Sequence, residues 1–311
     1  MNIVASDHRV PSSRPGIACL LRNRHRVADG PPVLFVHGAT YPSTVMFDYP
    51  VGGVSWMSWM ADAGFDAWCV DLPGYGGADR PPEMSGDPMA SAPIVDTCEA
   101  VADVHRAVAF ILAQRNLPEL DLVGYSWGTA IAGQLAGEAP DRIRRLVLAG
   151  PLWLREGGAT AAPDAKLGAY RTVDAAGIIR RWTTGLDAHQ RAVIAPAQRL
   201  ERWADAAVAS DPRSAIQDPP RLRAPAGVVK DVQEYWLRGQ PTYDPGRIRC
   251  PTQIVVGEWD RETTPEQGQA LFKQLTGSAE RRYTVIGGGT HSLLLENQRH
   301  QLYDVARAFL T

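Results

Sequence analysis

The chain has 311 residues, enough for two domains or for one large α/β domain with insertions. Hydrophobic residues make up 45% of it and charged residues 21%, a composition typical of a globular protein with a sizeable core and not of a disordered chain. The formal net charge is −2, and no block of lysines or arginines occurs. We therefore do not expect a nucleic-acid-binding protein, because such proteins hold phosphates with clustered cations.

Membrane proteins and disulfide or zinc scaffolds are not expected either. No apolar run reaches the roughly 18 residues of a membrane span, and the first ten residues lack the apolar stretch of a signal peptide. The four cysteines lie far apart without a CxxC pair, and we expect Cys69 and Cys250 to be small buried hydrophobes. These features predict a cytoplasmic protein, and they do not indicate its oligomeric state.

Short apolar runs recur along the chain, and each ends at a turn that precedes a helix-like stretch. In chain order, the predicted elements are a strand at 33–36, a helix at 55–63, a strand at 67–70, a helix at 97–115, a strand at 120–123, a helix at 129–138, a strand at 146–149, a strand at 254–256, a helix at 265–275, a strand at 283–286 and a helix at 299–310. Continuous apolar runs are typical of strands that are buried on both faces of a parallel sheet. We therefore predict an α/β fold with a mostly parallel, doubly wound sheet.

The alternation of strands and helices stops between residues 151 and 244. This stretch contains helical patterns at 165–182, 188–210 and 228–238, separated by prolines, and no convincing strand. Strand-like runs resume at Thr252. We therefore predict a core of residues 1–150 and 245–311, interrupted by a helical insertion of residues 151–244.

The pentapeptide Gly124-Tyr125-Ser126-Trp127-Gly128 matches G-x-S-x-G and lies between a predicted strand and a predicted helix. A chain that passes directly from strand to helix must turn sharply, and glycines beside the turn leave room for it because they have no Cβ. Such a turn lifts the serine hydroxyl above the sheet edge and aims the first N–H groups of the helix at it. We predict that Ser126 is a nucleophile; the alternative is a serine that only caps a helix.

A serine nucleophile needs a base with a carboxylate behind it, and in enzymes with this turn the acid and then the base follow in chain order. Three histidines follow Ser126: His189, His291 and His300. His189 lies in the insertion, and His300 lies on the final amphipathic helix. Only His291 follows a strand at the sheet edge where active-site loops gather, so we predict that it is the base.

The position of the acid is less clear from the residues alone. Glu258, Asp260 and Glu262 all follow the strand at 254–256 and qualify by position. Glu156, just after Gly150-Pro151, is a weaker candidate.

Five segments resemble those of α/β-hydrolase-fold enzymes and occur in that family's order. They are His37-Gly38, Asp71-Leu72-Pro73-Gly74-Tyr75-Gly76, the turn at Ser126, Gly257-Glu258-Trp259-Asp260 and Gly289-Thr290-His291. The resemblance extends over about residues 33–310, and it implies that the insertion is a helical cap. It also favours Asp260 as the acid, with Glu258 as second choice, because the corresponding loop of the family usually reads G-x-x-D.

The resemblance implies an oxyanion hole as well. Its two donors are expected to be the backbone N–H groups of Ala39 and Trp127. His37 precedes the nucleophile in the chain, so we expect it to brace its loop and not to act in catalysis.

Departures from individual branches of the family narrow the chemistry. Haloalkane dehalogenases and epoxide hydrolases have an aspartate where this chain has Ser126, so acyl-enzyme chemistry is favoured. Proline iminopeptidases carry H-G-G-P-G where this chain has His37-Gly38-Ala39-Thr40-Tyr41, and neither the HGGG loop of lipases nor the S-M-G-G of many esterases and C–C bond hydrolases is present. We expect a serine hydrolase of carboxylic esters. Lactonase, amidase or aminopeptidase and C–C bond hydrolase stay open, as do an acyltransferase and a ligand receptor outside the hydrolases.

Aromatic residues indicate the kind of substrate. The chain has nine tryptophans, four of them in the insertion, and we name Tyr41, Trp153 and Trp182 as candidate substrate contacts. A pocket with aromatic walls favours a small molecule with an apolar or aromatic carbonyl group. The insertion also carries arginines that are candidates to face a carboxylate, namely Arg180, Arg181, Arg191, Arg199, Arg202 and Arg238. No metal-ligand spacing and no nucleotide-binding fingerprint occurs, so we expect no metal and no cofactor.

Overall fold

The computed structural model describes residues 2–26, 30–154 and 166–311. Within them the chain forms one large sheet of eight strands and one small sheet of two. The large sheet consists of β1 (Val4–Pro11), β2 (Ala18–His25), β3 (Pro32–Val36), β4 (Asp66–Asp71), β5 (Leu120–Tyr125), β6 (Ile143–Ala149), β9 (Thr252–Gly257) and β10 (Arg281–Ile286). The small sheet pairs β7 (Tyr170–Asp174) with β8 (Arg221–Pro225).

The helices pack on both faces of the large sheet and over its edge. They are α1 (Ser43–Met46), α2 (Trp56–Asp62), α3 (Thr97–Arg115), α4 (Trp127–Glu138), α5 (Ala175–Trp182), α6 (Ala188–Ile194), α7 (Ala197–Ala209), α8 (Gly227–Glu234), α9 (Pro265–Gln274) and α10 (Arg299–Leu310). Helix α3 has the predicted bounds, because Asp96 and Glu99 form a capping box at its start and Asn116 turns left-handed after its end. Across the described residues, we find no helix that combines the length and the apolar character needed to span a membrane.

The large sheet confirms the predicted α/β fold. Its strands lie in the order β1-β2-β4-β3-β5-β6-β9-β10, and the six from β4 to β10 run parallel. These six are the six predicted strands. Strands β3, β4, β5 and β9 are buried over their whole length, as continuous apolar runs require. Strand β6 is partly exposed at Arg144 and Arg145, and β10 is an edge strand with a mostly exposed start.

The antiparallel strands β1 and β2, at the edge of the large sheet opposite to β10, were not predicted. In β2 buried residues such as Leu21 and Asn23 alternate with the partly exposed Arg22 and Arg24. Alternation of burial marks a strand with one solvated face, and in β2 the apolar run Ala18–Leu21 gives way in mid-strand to four polar residues. The hairpin therefore carries a weaker signal than the central strands, and its second strand is not followed by a helix-like stretch.

The insertion differs from its prediction. We predicted no strand there, but β7 and β8 pair with each other, and the helix predicted at 165–182 begins only at Ala175. Asp174 explains the boundary, because it caps α5 by accepting a hydrogen bond from the Gly177 N–H. The pair was missed because β7 and β8 have five residues each, contain several arginines, and find each other about 50 positions apart in the chain. The predicted helix at 188–210 is split into α6 and α7 at Pro196.

The core consists of two apolar layers, one on each face of the large sheet. Trp68 and Trp127 belong to one layer, and Trp56 and Trp203 belong to the other. Cys69 and Cys250 are buried, as predicted. Because β3, β5, β6, β9 and β10 are parallel, their carboxyl ends meet at one edge of the sheet, and the loops that follow them lie side by side there.

Candidate active site

Ser126 occupies the sharp turn between β5 and α4. Its φ is 56° and its ψ is −122°, a conformation that residues with side chains rarely adopt and that is found at functional sites. The two flanking glycines are sterically required. A Cβ on Gly124 would lie 2.4 Å from the Gly128 carbonyl oxygen, and a Cβ on Gly128 would lie 2.2 Å from the Val36 carbonyl oxygen. The motif thus packs the start of α4 directly against β3 and β5.

His291 faces this serine from the loop after β10. Its Nε2 lies 2.9 Å from Ser126 Oγ. The Tyr125 hydroxyl donates to the His291 carbonyl oxygen at 2.7 Å and so ties the loop to the turn. A Cβ on Gly150 would lie 3.2 Å from the imidazole, so glycine at the end of β6 leaves room for the ring. The structure thus brings the predicted nucleophile and base into hydrogen-bond contact.

Asp260 lies on the opposite side of the imidazole. Its Oδ2 accepts from His291 Nδ1 at 2.8 Å and from the Thr263 hydroxyl at 2.8 Å, and its Oδ1 accepts the N–H groups of Glu262 and Thr263 at 2.9 Å. Because a carboxylate only accepts, Nδ1 carries the ring proton and Nε2 is free to accept from the Ser126 hydroxyl. Asp260 is 3% exposed, so these four bonds fix it in a nearly dry site.

Glu258 and Glu262, two of the other candidate acids, do not contact His291 Nδ1. Glu258 accepts the Gly288 N–H at 2.9 Å on the exposed side of the loop. Glu262 approaches the wrong nitrogen, with its Oε2 3.9 Å from His291 Nε2. Glu156 lies outside the described residues.

Two carboxylates act on the protonation of His291. Burial of the ring lowers its pKa, but the negative charges of Asp260 and Glu262 and the hydrogen bond to Asp260 outweigh burial, and the pKa lies above its ordinary value. The imidazolium is therefore stabilised where a proton taken from Ser126 would reside.

The two predicted oxyanion donors lie beside the serine. Trp127 is the first residue of α4, so its N–H has no partner within the helix. A Cβ on Gly38 would lie 2.9 Å from Ser126 Cβ, which places the start of the Ala39 loop against the nucleophile. Within the described chain, neither the Ala39 nor the Trp127 N–H donates to a protein acceptor.

Hydrogen bonds from Tyr75, Arg171 and His37 fix the loop that carries Ala39. The Tyr75 hydroxyl donates to the Ala39 carbonyl oxygen at 3.0 Å, and Arg171 Nη2 donates to it at 2.9 Å. His37 is fully buried, bonds the Gly38 carbonyl oxygen through Nδ1 at 2.7 Å, and accepts the Leu72 N–H at Nε2. Burial lowers the pKa of His37 to about 4, so the ring is neutral. These contacts agree with the predicted bracing role of His37.

Ser126 opens into a narrow cavity of about 30 Å³ between the sheet edge and the insertion. A second cavity of about 370 Å³ adjoins it and shares Arg181, Trp182, Glu262, His291 and Ser292. Tyr41 and Trp182, two of the predicted substrate contacts, line the inner cavity, together with Ile178 and Trp203 of the insertion. Trp203 packs edge-on against Tyr41 at 4.8 Å and against Trp182 at 5.3 Å between ring centres.

Trp153, the third predicted substrate contact, is not part of this site. It packs against Tyr243 and lines a separate cavity of about 910 Å³ beside α4 and α9. Its carbonyl oxygen accepts from Gln267 Nε2 at 2.6 Å, which fixes the chain after β6 on that side. Trp153 therefore does not line the cavity beside Ser126, contrary to the prediction.

Several residues of the site were not found from the sequence. Thr263 and Tyr125 orient the acid and the base loop, and Glu296 joins that loop to the insertion by accepting the Thr290 N–H and the Trp182 Nε1–H. Burial raises the pKa of Glu296. Thr263 follows Asp260 by three residues, a spacing at which an acidic side chain often caps a turn. This spacing is the local sequence signal from which the contact between Thr263 and Asp260 could have been predicted. Over the described ranges, no three His, Cys, Asp or Glu side chains are grouped as metal ligands would be.

Known proteins resemble the chain in sequence. A family model described as the alpha/beta hydrolase fold matches residues 31–298. The abhydrolase domain-containing protein abhd-5.2 of Caenorhabditis elegans is 30% identical over 120 residues, which make up 38% of this chain and 25% of that protein. The chain thus spans about a quarter of the length of this relative.

Solved structures resemble it over almost their whole length. A thermophilic esterase from Thermogutta terrifontis has a TM-score of 0.63 at 17% identity, with 98% of each chain covered. The 2-hydroxy-6-oxo-6-phenylhexa-2,4-dienoate hydrolase of a Rhodococcus species has a TM-score of 0.64 at 16% identity, with 100% of each chain covered. At these identities the likeness concerns the fold. With a family match over most of its length and the sheet described above, the chain belongs to the alpha/beta hydrolase fold family.

Proposed function

We propose that the protein is a serine hydrolase that cleaves a carboxylic ester through an acyl-enzyme on Ser126. The observation that carries the proposal is the unbroken hydrogen-bond chain from Ser126 Oγ to His291 Nε2, at 2.9 Å, and from His291 Nδ1 to Asp260 Oδ2, at 2.8 Å. This is the arrangement in which a base activates a serine and a carboxylate fixes the tautomer of the base.

In the first half-reaction, Ser126 Oγ attacks the carbonyl carbon of the ester and its proton passes to His291 Nε2. The oxyanion of the tetrahedral intermediate accepts the N–H groups of Ala39 and Trp127. The C–O bond to the alcohol then breaks, and the alcohol leaves with the proton of His291. Asp260 stays ionised and stabilises the imidazolium in between.

In the second half-reaction, water attacks the acyl carbon. His291 takes a proton from the water and returns it to Ser126 Oγ as the carboxylic acid departs.

We also propose that residues 151–244 act as a cap on a core of residues 1–150 and 245–311. Ile178, Trp182 and Trp203 of the insertion form one wall of the Ser126 cavity. Trp203 Nε1 donates to the Val45 carbonyl oxygen at 2.9 Å and Trp182 Nε1 donates to Glu296 at 2.8 Å, which anchor this wall to the core. Its aromatic character favours an apolar or aromatic group next to the scissile bond.

A substrate panel with an activity probe tests the proposal. We expect a fluorophosphonate to label Ser126, which peptide mass spectrometry identifies, and p-nitrophenyl esters to be cleaved faster than matched lactones or anilides. Faster cleavage of lactones or anilides assigns the same three residues to a lactonase or an amidase. Transfer of the acyl group to an added alcohol in preference to water indicates an acyltransferase. Absence of both labelling and turnover contradicts the proposal.

Replacing Glu262 by glutamine is expected to shift the acidic limb of the kcat/KM–pH profile to lower pH. Burial lowers the pKa of His291, but Asp260 and Glu262 hold it above the ordinary 6.5. A base acts only when it is unprotonated, so activity is lost as the pH falls through this pKa. Without the charge of Glu262 the pKa falls and activity persists to lower pH, and the released Arg181 acts in the same direction.

Glu258→Gln is the matched control for this shift. Glu258 bonds the Gly288 N–H on the exposed side of the same loop, so its loss is expected to leave the acidic limb in place. An unshifted limb in Glu262→Gln, or equal shifts in both variants, contradicts a direct effect of Glu262 on His291.

A further inference from the structure

One side of the Ser126 cavity is cationic. Thr40 lies next to the oxyanion loop residue Ala39, lines the cavity and is 3% exposed. Two guanidinium groups converge on its hydroxyl: Arg171 Nη2 donates to Thr40 Oγ1 at 2.7 Å, and Arg181 Nη1 lies 3.3 Å from it. Both arginines come from the insertion, so this polar side forms only when the insertion packs on the core.

The Thr40 hydroxyl is left with a proton to donate. An oxygen that accepts two N–H groups has used its lone pairs, and its own O–H needs a third partner. In the part of the chain that the structure describes, no acceptor takes this proton. Because Thr40 lines the cavity, the unmatched donor is at the place where a substrate binds.

Arg171 brings a positive charge that no carboxylate offsets within the described residues. Its donors go to three neutral oxygens, those of Pro225, Ala39 and Thr40. Guanidinium groups stay protonated in proteins, and a partly buried charge without a counterion leaves a positive potential in its surroundings. The potential falls on the loop that carries Ala39 and Thr40, and it favours an anion there.

Arg181 already holds a carboxylate, that of Glu262. Arg181 Nε donates to Glu262 Oε1 at 2.8 Å, and a second bond joins Nη2 to Oε2. The two side chains are 47% and 29% exposed, so water reaches the pair and can solvate Glu262 when it leaves. Glu262 demonstrates the fit of a carboxylate to Arg181, and a carboxylate of a substrate can compete for the same guanidinium.

The small volume of the inner cavity is a further reason to expect that Glu262 leaves Arg181 when a substrate binds. The inner cavity of about 30 Å³ has room for about two water molecules, less than an acyl group needs. Arg181 and Glu262 border both the inner and the outer cavity. The ion pair therefore lies at the boundary of the two cavities, and its opening would free the guanidinium at that boundary.

We propose that Arg181 and the Thr40 hydroxyl bind a carboxylate of the substrate, with Arg171 as a positioning residue behind them. The site then takes esters that also carry a free carboxylate, with their apolar part against Trp182 and Trp203. This inference rests on the ester hydrolysis proposed above. In the complex, the substrate carboxylate replaces Glu262 on Arg181.

Two matched substrate pairs test this specificity. The first pair is p-nitrophenyl hydrogen adipate and its methyl ester, with the charge on the acyl side; the second is 4-acetoxybenzoate and its methyl ester, with the charge on the alcohol side. Each kcat/KM is divided by the rate of uncatalysed hydroxide hydrolysis. We expect the anionic member of at least one pair to be preferred about tenfold or more, as a charge-assisted hydrogen bond implies.

Variants show whether the preference comes from these residues. Arg181→Met and Thr40→Val are each expected to lower the anionic-to-neutral ratio of kcat/KM, Arg181→Met by about ten- to a hundredfold. Most of the loss is expected in KM. Arg180→Met is the matched control, because Arg180 precedes Arg181 on α5 and is exposed, and the ratio is expected to stay as in the wild type. A preference for the neutral ester in both pairs, or a ratio unchanged by Arg181→Met, overturns the proposal.

Binding of a free carboxylate separates this inference from the proposed function. Adipate is expected to inhibit or bind the wild-type protein better than hexanamide, as measured by calorimetry, and Arg181→Met is expected to abolish the difference. If neutral esters are cleaved at Ser126 but no carboxylate preference exists, the hydrolase stands and the carboxylate site falls. If no ester is cleaved but adipate binds through Arg181, the site stands and the ester hydrolase falls.

Discussion

Replacement of Ser126 by alanine is expected to lower kcat/KM for any cleaved ester by about ten-thousandfold to a millionfold, the range seen when the nucleophile of such a triad is removed. The loss is large because the acyl-enzyme route disappears, and only substrate binding and the oxyanion donors stay to assist attack by water. The Gly124 and Gly128 contacts do not involve the serine hydroxyl, so the fold is expected to persist. Steady-state kinetics, with circular dichroism to verify folding, measures the effect.

Ser85→Ala provides the control for this substitution. Ser85 is exposed and lines neither cavity beside Ser126. Its N–H donates to the Pro82 carbonyl oxygen at 3.0 Å and its carbonyl oxygen accepts from Arg213, so both of these hydrogen bonds involve its backbone and persist in alanine. We expect unchanged kinetics and unchanged fluorophosphonate labelling in this variant. Ester cleavage that survives in Ser126→Ala at more than about a hundredth of the wild-type rate contradicts the assignment, given the magnitudes for such triads.

Replacement of Asp260 by asparagine is expected to lower kcat by about ten-thousandfold. An amide in place of the carboxylate presents N–H groups as well as an oxygen, so it no longer compels His291 to carry its proton on Nδ1. The wrong tautomer leaves Nε2 protonated and unable to accept the proton of Ser126. The imidazolium also loses its nearest negative charge. Kinetics with an activated ester across pH measures the loss.

Glu258→Gln distinguishes Asp260 from the second candidate for the acid. Both residues follow β9, but only Asp260 contacts the imidazole, whereas Glu258 bonds the Gly288 N–H. We expect the rate of Glu258→Gln to stay within a fewfold of the wild type. A large loss in Glu258→Gln together with a small loss in Asp260→Asn would reverse the assignment.

The sequence was sufficient to predict the central strands, because a strand that is buried on both faces of the sheet needs a continuous apolar run. Strands β3, β4, β5 and β9 are continuous apolar runs and are buried throughout. Strands β1, β7 and β8 lack such runs and the run in β2 ends at mid-strand, since one face is solvated or the strand is short and rich in arginine. Their formation depends on a partner strand, and pairing across the chain is a property of the tertiary structure.

Residues of the candidate site were likewise predictable from the sequence only where they carry a local signal. Ser126 carries a local signal because its turn needs glycine on both sides, and His291 carries one because it follows a strand that ends at the active edge. The proposed oxyanion donors are backbone groups, so their position depends on chain geometry and not on side-chain identity.

The sequence by itself determined the α/β core, the turn at Ser126 and the choice of His291 as the proposed base, because each depends on residues that are close together in the chain. Only the tertiary structure decided which of three acids within five positions faces His291 Nδ1, and that Trp182 and not Trp153 lines the cavity. It also decided that two arginines of the insertion meet at Thr40, about 130 positions away in sequence. Contacts of this kind depend on how the insertion folds back over the sheet edge, a geometry set by packing across the whole chain.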